Sequence, residues 1–359
     1  MNSGKYEDFP QSVSFTITNA CNLRCKMCGQ WSESGYMLDD STKIKPEMKL
    51  TDWKRIIDEV AEHNITSVLL RGGEPFLHPH ILEILNYLDS KNFFISIDTN
   101  GTLLQKYAAE LVRIGNIHLT FSVDGPEEIH DEVRSVKGCF QKLKENILLL
   151  HELEKNNTKK ISKSICFTIS PYSYKGLGVM PDVVRSLSID TINIVPYNYV
   201  TGEMQRQSEE ILKNELSSYT FSYSGFHHDS SGIDFEIFRE QFREYNARLE
   251  NLFQFPYMGS SKSYLTEEDY KKWFGNATSL VGSAPCANVE RLIDIQPDGS
   301  ANFCVDLPDY KIGNVLQSSI SEIWKSNEAK KFREYRRKKQ LPVCYRCVAK
   351  YMGEIPDKI

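Results

Sequence analysis

The chain has 359 residues, 40% of them hydrophobic and 25% charged, and a net charge of -5. That length supports one large or two smaller cores in an ordinary globular composition, and the acidic balance gives no reason to expect nucleic acid as a partner. No apolar run approaches the ~20 residues of a membrane span, and residues 1–10 carry no signal-peptide apolar region, so a cytoplasmic location is expected.

The first β-rich run is Ser12–Thr18. Directly after it comes Cys21-Asn22-Leu23-Arg24-Cys25-Lys26-Met27-Cys28, a C-x3-C-x2-C run. Cysteine is the usual ligand of iron–sulfur clusters, and a cubane 4Fe–4S site usually takes four. Three protein ligands leave one iron open to an outside ligand, which points to chemistry as well as electron storage. Zinc is the alternative, since it also takes thiolates in C-x2-C pairs, although no histidine stands nearby as a fourth ligand.

Further runs follow at Ser67–Leu70, Phe93–Asp98, Ile117–Val123, Ser164–Ile169 and Thr191–Pro196. Between them the apolar spacing is helical. Trp53, Ile56, Ile57 and Val60 follow a candidate N-cap at Thr51, and Ile81, Leu82, Leu85 and Leu88 follow Pro79. Leu143, Ile147, Leu150 and Leu153 repeat the pattern. Six β–α units in a row imply a parallel sheet with right-handed crossovers. Periodicity does not choose between a doubly wound sheet and an incomplete barrel, but in both the ligands gather at the C-terminal strand ends. Polar, glycine-containing motifs stand at those ends: Arg71-Gly72-Gly73-Glu74-Pro75, Thr99-Asn100-Gly101 and Ser122-Val123-Asp124-Gly125-Pro126. Each alone reads as a turn; together on one rim they read as a site.

Residues 203–281 have another texture, rich in Ser, Tyr and charge. Phe235, Phe238, Phe242, Tyr245, Leu249 and Leu252 form a helical stripe that is first a packing face. A mostly helical insert is expected there, with His227-His228 in a solvated loop. From about Gly282, Leu292–Ile295, a turn at 297–299 and Ala301–Val305 read as a hairpin. Ser319 and Glu322 form a capping box. Arg336-Arg337-Lys338-Lys339 reads as the solvated end of a helical region. Cys286, Cys304, Cys344 and Cys347 form a second cysteine set, while Cys139 and Cys166, each beside apolar residues, read as core thiols.

C-x3-C-x2-C after the first strand with Gly-Gly-Glu-Pro after the second resembles the radical S-adenosylmethionine (SAM) superfamily over about residues 12–200. The resemblance implies an α/β fold built on a partial (β/α)6 TIM-like barrel at 11–202. A helical insert would follow at 203–281 and a small α+β auxiliary-cluster domain at 282–359. Cys21, Cys25 and Cys28 would bind three irons of a 4Fe–4S cluster, and SAM would chelate the fourth. Gly72, Gly73, Glu74 and Pro75 would meet the SAM amino group. Ser122 and Asp124 match positions that reach the ribose hydroxyls, and Arg134 matches a residue that pairs with the SAM carboxylate. Met27 stands where an aromatic residue often packs near the adenine, a role a thioether also fills.

The second cysteine set resembles the first part of a SPASM domain. No cysteine follows Cys347, so the pattern is closer to the shorter twitch domain with one auxiliary 4Fe–4S cluster on Cys286, Cys304, Cys344 and Cys347. Zinc on the same four thiolates is the alternative.

The implied activity is reductive cleavage of SAM to a 5′-deoxyadenosyl radical that abstracts hydrogen from a substrate. A reduced flavodoxin- or ferredoxin-type protein would donate the electron. The first strand starts by about residue 12, leaving no fused peptide-recognition domain, so the expected substrate is a small molecule: a sugar, nucleoside or cyclitol, in a net oxidation. A ribosomally made peptide or protein is the alternative substrate. A non-catalytic iron–sulfur or zinc scaffold is the more remote reading. No side chain stands out as a general base.

Overall fold

The computed structural model describes residues 8–38, 47–219, 222–254, 265–275, 286, 288–304 and 307–347. The core alternates strands with helices, one after each strand except the fourth, which is followed by two. It begins with β1 (Ser12–Thr18), α1 (Leu50–Glu62), β2 (Ser67–Gly72), α2 (Ile81–Ser90), β3 (Phe94–Thr99) and α3 (Ala108–Ile114). It continues through β4 (Ile117–Ser122), α4 (Glu127–Arg134), α5 (Cys139–Glu154), β5 (Ser162–Ile169), α6 (Met180–Ser186) and β6 (Thr191–Pro196). β1 to β6 pair side by side, all parallel, in chain order. This is the partial-barrel architecture expected from the sequence.

Alternation along each strand explains the layering. On β5, Ile165, Phe167 and Ile169 are fully buried beneath the helices, while Cys166 and Thr168 face the other way and are half-buried. The same rule buries Val13, Phe15 and Ile17 against Trp53 of α1. The opposite face of the sheet is the concave interior, and it is polar. Ser14, Thr16 and Gln296 donate hydrogen bonds to the buried Asp294, at 2.6 Å from Ser14 and 3.2 Å from Thr16. Arg71 lies within electrostatic reach of both Asp98 and Asp294.

After β6 come α7 (Gly202–Leu216), α8 (Phe235–Arg248), the short β7 (Phe253–Gln254) and α9 (Glu267–Gly275). Three helices, α7, α8 and α9, account for most of the described residues between 202 and 275. Phe238 and Tyr245 are fully buried, and Phe242, Phe235, Leu249 and Leu252 pack half-buried against the same core. This stripe lies over the segment 174–186. β7 pairs in parallel with β6, so this region also adds a strand to the barrel sheet.

The C-terminal part comprises α10 (Asn288–Arg291), β8 (Leu292–Ile295), β9 (Ser300–Asn302), β10 (Gly313–Asn314), α11 (Ile320–Trp324) and α12 (Asn327–Lys338). The hairpin forms between β8 and β9; Gly282 and Val305 lie outside the described residues. β8 also pairs in parallel with β1, Ser12 opposite Leu292 and Phe15 opposite Ile295. One ten-stranded sheet, ordered β10-β9-β8-β1-β2-β3-β4-β5-β6-β7, therefore joins the C-terminal part to the barrel.

Two local expectations move. α1 begins at Leu50 with Lys49 as its N-cap, and Asp52 rather than Thr51 closes the cap by accepting from the Lys49 N–H at 3.0 Å. Cys166 faces the polar interior: burial first, then the charges of Asp98 and Asp124 within electrostatic reach, push its pKa up to about 12. Cys139 does sit buried, its thiol 3.2 Å from Asp131.

Candidate active site and cluster centres

The loop after β1 carries Cys21, Cys25 and Cys28 at the C-terminal rim of the sheet. Three sets of bonds hold it there. Gly73 and Glu74 donate their backbone N–H groups to Thr18 and Ala20 at 2.9 and 2.7 Å. Asn100 donates through its side chain to Asn22 at 3.0 Å, and Asn22 in turn to Thr102 at 2.9 Å. Lys26 donates its N–H to the carbonyl of Val133 on α4 at 2.9 Å. The motifs after β2 and β3, together with α4, thus converge on the cysteine loop.

Gly72 and Gly73 are demanded by this close approach. A Cβ on Gly72 would lie 2.3 Å from the Thr18 carbonyl oxygen, and one on Gly73 only 2.2 Å from that of Ala20. Pro75 opens a short 3-10 turn, capped by Glu74. The Glu74 carboxylate is fully enclosed. It accepts from the Thr99 hydroxyl and the Asn100 N–H, both at 2.8 Å, and from the Phe76 N–H at 3.3 Å. Burial raises its pKa to about 7 against the pull of these donors. These three bonds tie the start of the turn after β2 to the rim of β3, which gives Glu74 a holding role.

Asp124 and Arg134 meet each other. Their ion pair is 2.6 Å long and buried on both sides. Arg134 also approaches the Cys25 sulfur at 3.5 Å, and its Nε has no acceptor among the described residues. Burial raises the pKa of Asp124, with Arg134 pulling the other way. Ser122, at the end of β4, is half-buried.

A cavity of about 260 Å³ lies beside this loop, lined by Met27, Cys28, Arg71, Thr168, Tyr197 and Gln296 among others. It shares Tyr36, Gln296 and Pro308 with a wider groove of about 700 Å³ that reaches Cys21, Trp31, Glu47 and Lys311. Arg71 and the carboxyls behind it were not singled out from the sequence as chamber residues. The signal was present: alternation in Ser67–Gly72 places Arg71 opposite the buried Val68 and Leu70.

The second cysteine set also converges. Cys304, Cys344 and Cys347 line one small cavity with Val200, Tyr223 and Phe226. Cys286 lies within electrostatic reach of Cys304. The basic run after Tyr335 does not behave as one solvated end. Arg337 pairs outward with Glu290 at 2.7 Å and Lys339 with Glu215 at 3.3 Å, but Arg336 turns inward and is 3% exposed. The helical period decides this, because Arg336 falls on the face of α12 that also buries Phe332.

Both thiol sets suit iron–sulfur clusters. The Cys21, Cys25 and Cys28 thiols interact electrostatically, and burial pushes Cys21 up to about 12, so a bound metal rather than the bare pocket must draw off its proton. Zinc needs its donors within one shell at ~2.3 Å. Among the described residues no group of three or more His, Cys, Asp or Glu side chains forms a single-ion site. A multi-iron cubane accepts more widely separated thiolates. The second set supplies four thiols, a full complement.

Comparison with known proteins agrees with this geometry. Residues 15–169 match the model of the radical SAM superfamily, and residues 286–348 match SPASM, an iron–sulfur cluster-binding domain. The chain carries a radical SAM domain and a SPASM domain. Together they imply two 4Fe–4S clusters and SAM. The AdoMet-dependent heme synthase of Methanosarcina barkeri (strain Fusaro / DSM 804) is 26% identical over 245 residues, 64% of this chain and 68% of that protein. The antilisterial bacteriocin subtilosin biosynthesis protein AlbA of Bacillus subtilis (strain 168) is 30% identical over 146 residues, 40% of this chain and only 31% of AlbA. A cysteine-type anaerobic sulfatase-maturating enzyme of Clostridium novyi (strain NT) is 27% identical over 344 residues, 90% of this chain and 82% of that enzyme. Among solved structures, Streptococcus suis SuiB shares the fold with a TM-score of 0.62 at 18% identity, covering 95% of this chain and 72% of SuiB. Structures of SuiB carry S-adenosylmethionine or the precursor peptide SuiA.

These relatives overturn the expectation of a sugar, nucleoside or cyclitol substrate. The relative matched along 90% of this chain is named for maturing a sulfatase, and AlbA for making a bacteriocin. The expectation had rested on where the first strand starts. That position says nothing about what fills a chamber on the opposite rim of the sheet. No helix among the described residues is long and apolar enough to cross a membrane.

Proposed function

We propose that this protein is a radical SAM enzyme that modifies a ribosomally made peptide or protein. The match to a sulfatase-maturating enzyme along 90% of this chain and 82% of that one carries the reading. The groove of about 700 Å³ that joins the chamber beside Cys28 supports it, because a peptide segment could lie there with one residue reaching inward.

In this reading Cys21, Cys25 and Cys28 hold the SAM-binding cluster within a core at 11–202. Residues 203–281 form the helical insert, and 282–359 the auxiliary domain. Gly72, Gly73 and Pro75 present backbone to the SAM amino group while Glu74 fixes their loop. Ser122 would reach the ribose hydroxyls. Asp124 orients Arg134, whose guanidinium meets the SAM carboxylate. Cys286, Cys304, Cys344 and Cys347 hold one fully ligated auxiliary cluster, the shorter twitch-like arrangement. When bound, the clusters and SAM supply a 5′-deoxyadenosyl radical that takes a hydrogen atom from the substrate. The apolar walls of the chamber, Val195, Pro196 and Phe226, exclude water from that chemistry. An auxiliary cluster that accepts the substrate's electron would make the reaction an oxidation. The electron donor is a flavodoxin- or ferredoxin-type protein, in a cytoplasm that keeps nine thiols reduced.

The test is anaerobic incubation of the reconstituted enzyme with dithionite, SAM and the short peptides encoded beside its gene. A peptide mass change accompanied by 5′-deoxyadenosine is expected, and Cys25→Ala should abolish both. Cleavage of SAM by Cys25→Ala, or 5′-deoxyadenosine that forms without any change in a peptide or protein, would overturn the reading.

A further inference from the structure

Arg336 is the one member of its basic run that points into the protein. It sits in the last turn of α12 and is 3% exposed. Guanidinium does not lose its charge in proteins, so its burial requires a partner. No carboxylate pairs with it among the described residues. It donates to the Lys339 carbonyl at 3.2 Å, and the sulfurs of Cys344, Cys286 and Cys304 lie within its electrostatic reach. A buried guanidinium with no carboxylate beside it is poorly compensated. The balance changes when the cysteines become thiolates around a 4Fe–4S core, an assembly with a net charge of about -2.

We propose that Arg336 is the built-in counter-ion of the auxiliary cluster, donating a hydrogen bond to the Cys286 thiolate and setting the cluster's reduction potential. The inference rests on the proposed assignment of an iron–sulfur cluster to Cys286, Cys304, Cys344 and Cys347. Positive charge and donors at the cluster sulfurs stabilise the more negative, reduced form. Arg336 therefore raises the potential and makes the cluster a better electron acceptor. It is a positioning and tuning residue, since it acts through the cluster.

The experiment uses the full chain carrying Cys21→Ala, Cys25→Ala and Cys28→Ala, so that only the auxiliary cluster contributes a signal. Iron and zinc are counted first. Zinc without iron would remove the underlying cluster assignment, a failure separate from this one. With about four irons present, the midpoint potential is read by electron paramagnetic resonance during a redox titration. Arg336→Gln is expected to move it to more negative values, Arg336→Lys by less, and the outward Arg337→Gln not at all. An unchanged potential in Arg336→Gln overturns the proposal. If Arg336→Gln does not fold, the parent protein labelled with 15N-arginine decides. A 15N coupling to the reduced cluster that disappears in Arg336→Lys supports the contact, and no coupling in the parent refutes it.

Discussion

Glu74 shows how a side chain in a candidate site also holds the scaffold around it. Its position after β2 suggested a group facing a ligand's ammonium. In the fold its two oxygens are occupied by Thr99, Asn100 and Phe76, which ties the rim of β3 to the turn after β2. Glu74→Gln should therefore destabilise the protein by about 1–3 kcal/mol, because the amide NH2 must confront an N–H whichever way it turns. Chemical denaturation reads this, and an unchanged unfolding free energy would contradict it. His130 gives a pH signature of its own. Burial first, then the charge of Arg134, lowers its pKa to about 3, and its Nδ1 accepts from the Asp124 N–H at 3.2 Å. The unfolded chain binds that proton near pH 6.5 while the folded chain refuses it. The stabilising contribution is complete above pH 6.5 and is lost as pH falls toward about 3. His130→Gln should flatten the decline in stability across that window; an equally steep decline would show that other groups set it.

At the scale of elements, the sequence periods were dependable where one face is buried. β1 and β6 have the bounds expected from their β-rich runs, and the capping box of Ser319 and Glu322 opens α11. The start of α1 was misplaced because Thr51 and Asp52 both have cap chemistry, and only the backbone path decides which one folds back. Arg336 was misread for a related reason. Four consecutive basic residues look solvated as a run, yet a helix presents each to a different side. The rim is the element most exposed to a minimal change. Gly73→Ala would press a methyl to within 2.2 Å of the Ala20 carbonyl oxygen, and the cysteine loop must shift to relieve it. Iron per chain in Gly73→Ala should fall from about eight toward about four, with the auxiliary cluster retained. Full loading would mean that the rim tolerates the shift.

For the whole molecule, the decisive feature is the pairing of β8 with β1. It removes β1 as a sheet edge and brings Asp294 beneath Ser14 and Thr16. The C-terminal part is therefore a continuation of the barrel sheet as well as a carrier of cysteines. A chain ending at residue 281 would leave β1 with unpaired N–H and C=O groups and its inward hydroxyls without their acceptor. Such a chain should lose cooperative unfolding and associate through the exposed edge, as measured by denaturation and size-exclusion chromatography. A soluble, cooperatively folding fragment would show instead that the core closes without β8.

The sequence by itself determined the six β–α units, the two cysteine sets and the motifs at the strand ends, because strand and helix periods and ligand spacing are local in the chain. Only the tertiary structure decided which charges meet: Arg134 with Asp124, Arg71 near Asp98 and Asp294, and Arg336 with the second set of thiols. Those partners sit on different elements or are hidden within an ordinary charge run. Their pairing depends on burial, which makes an unpaired charge costly and which no local pattern records.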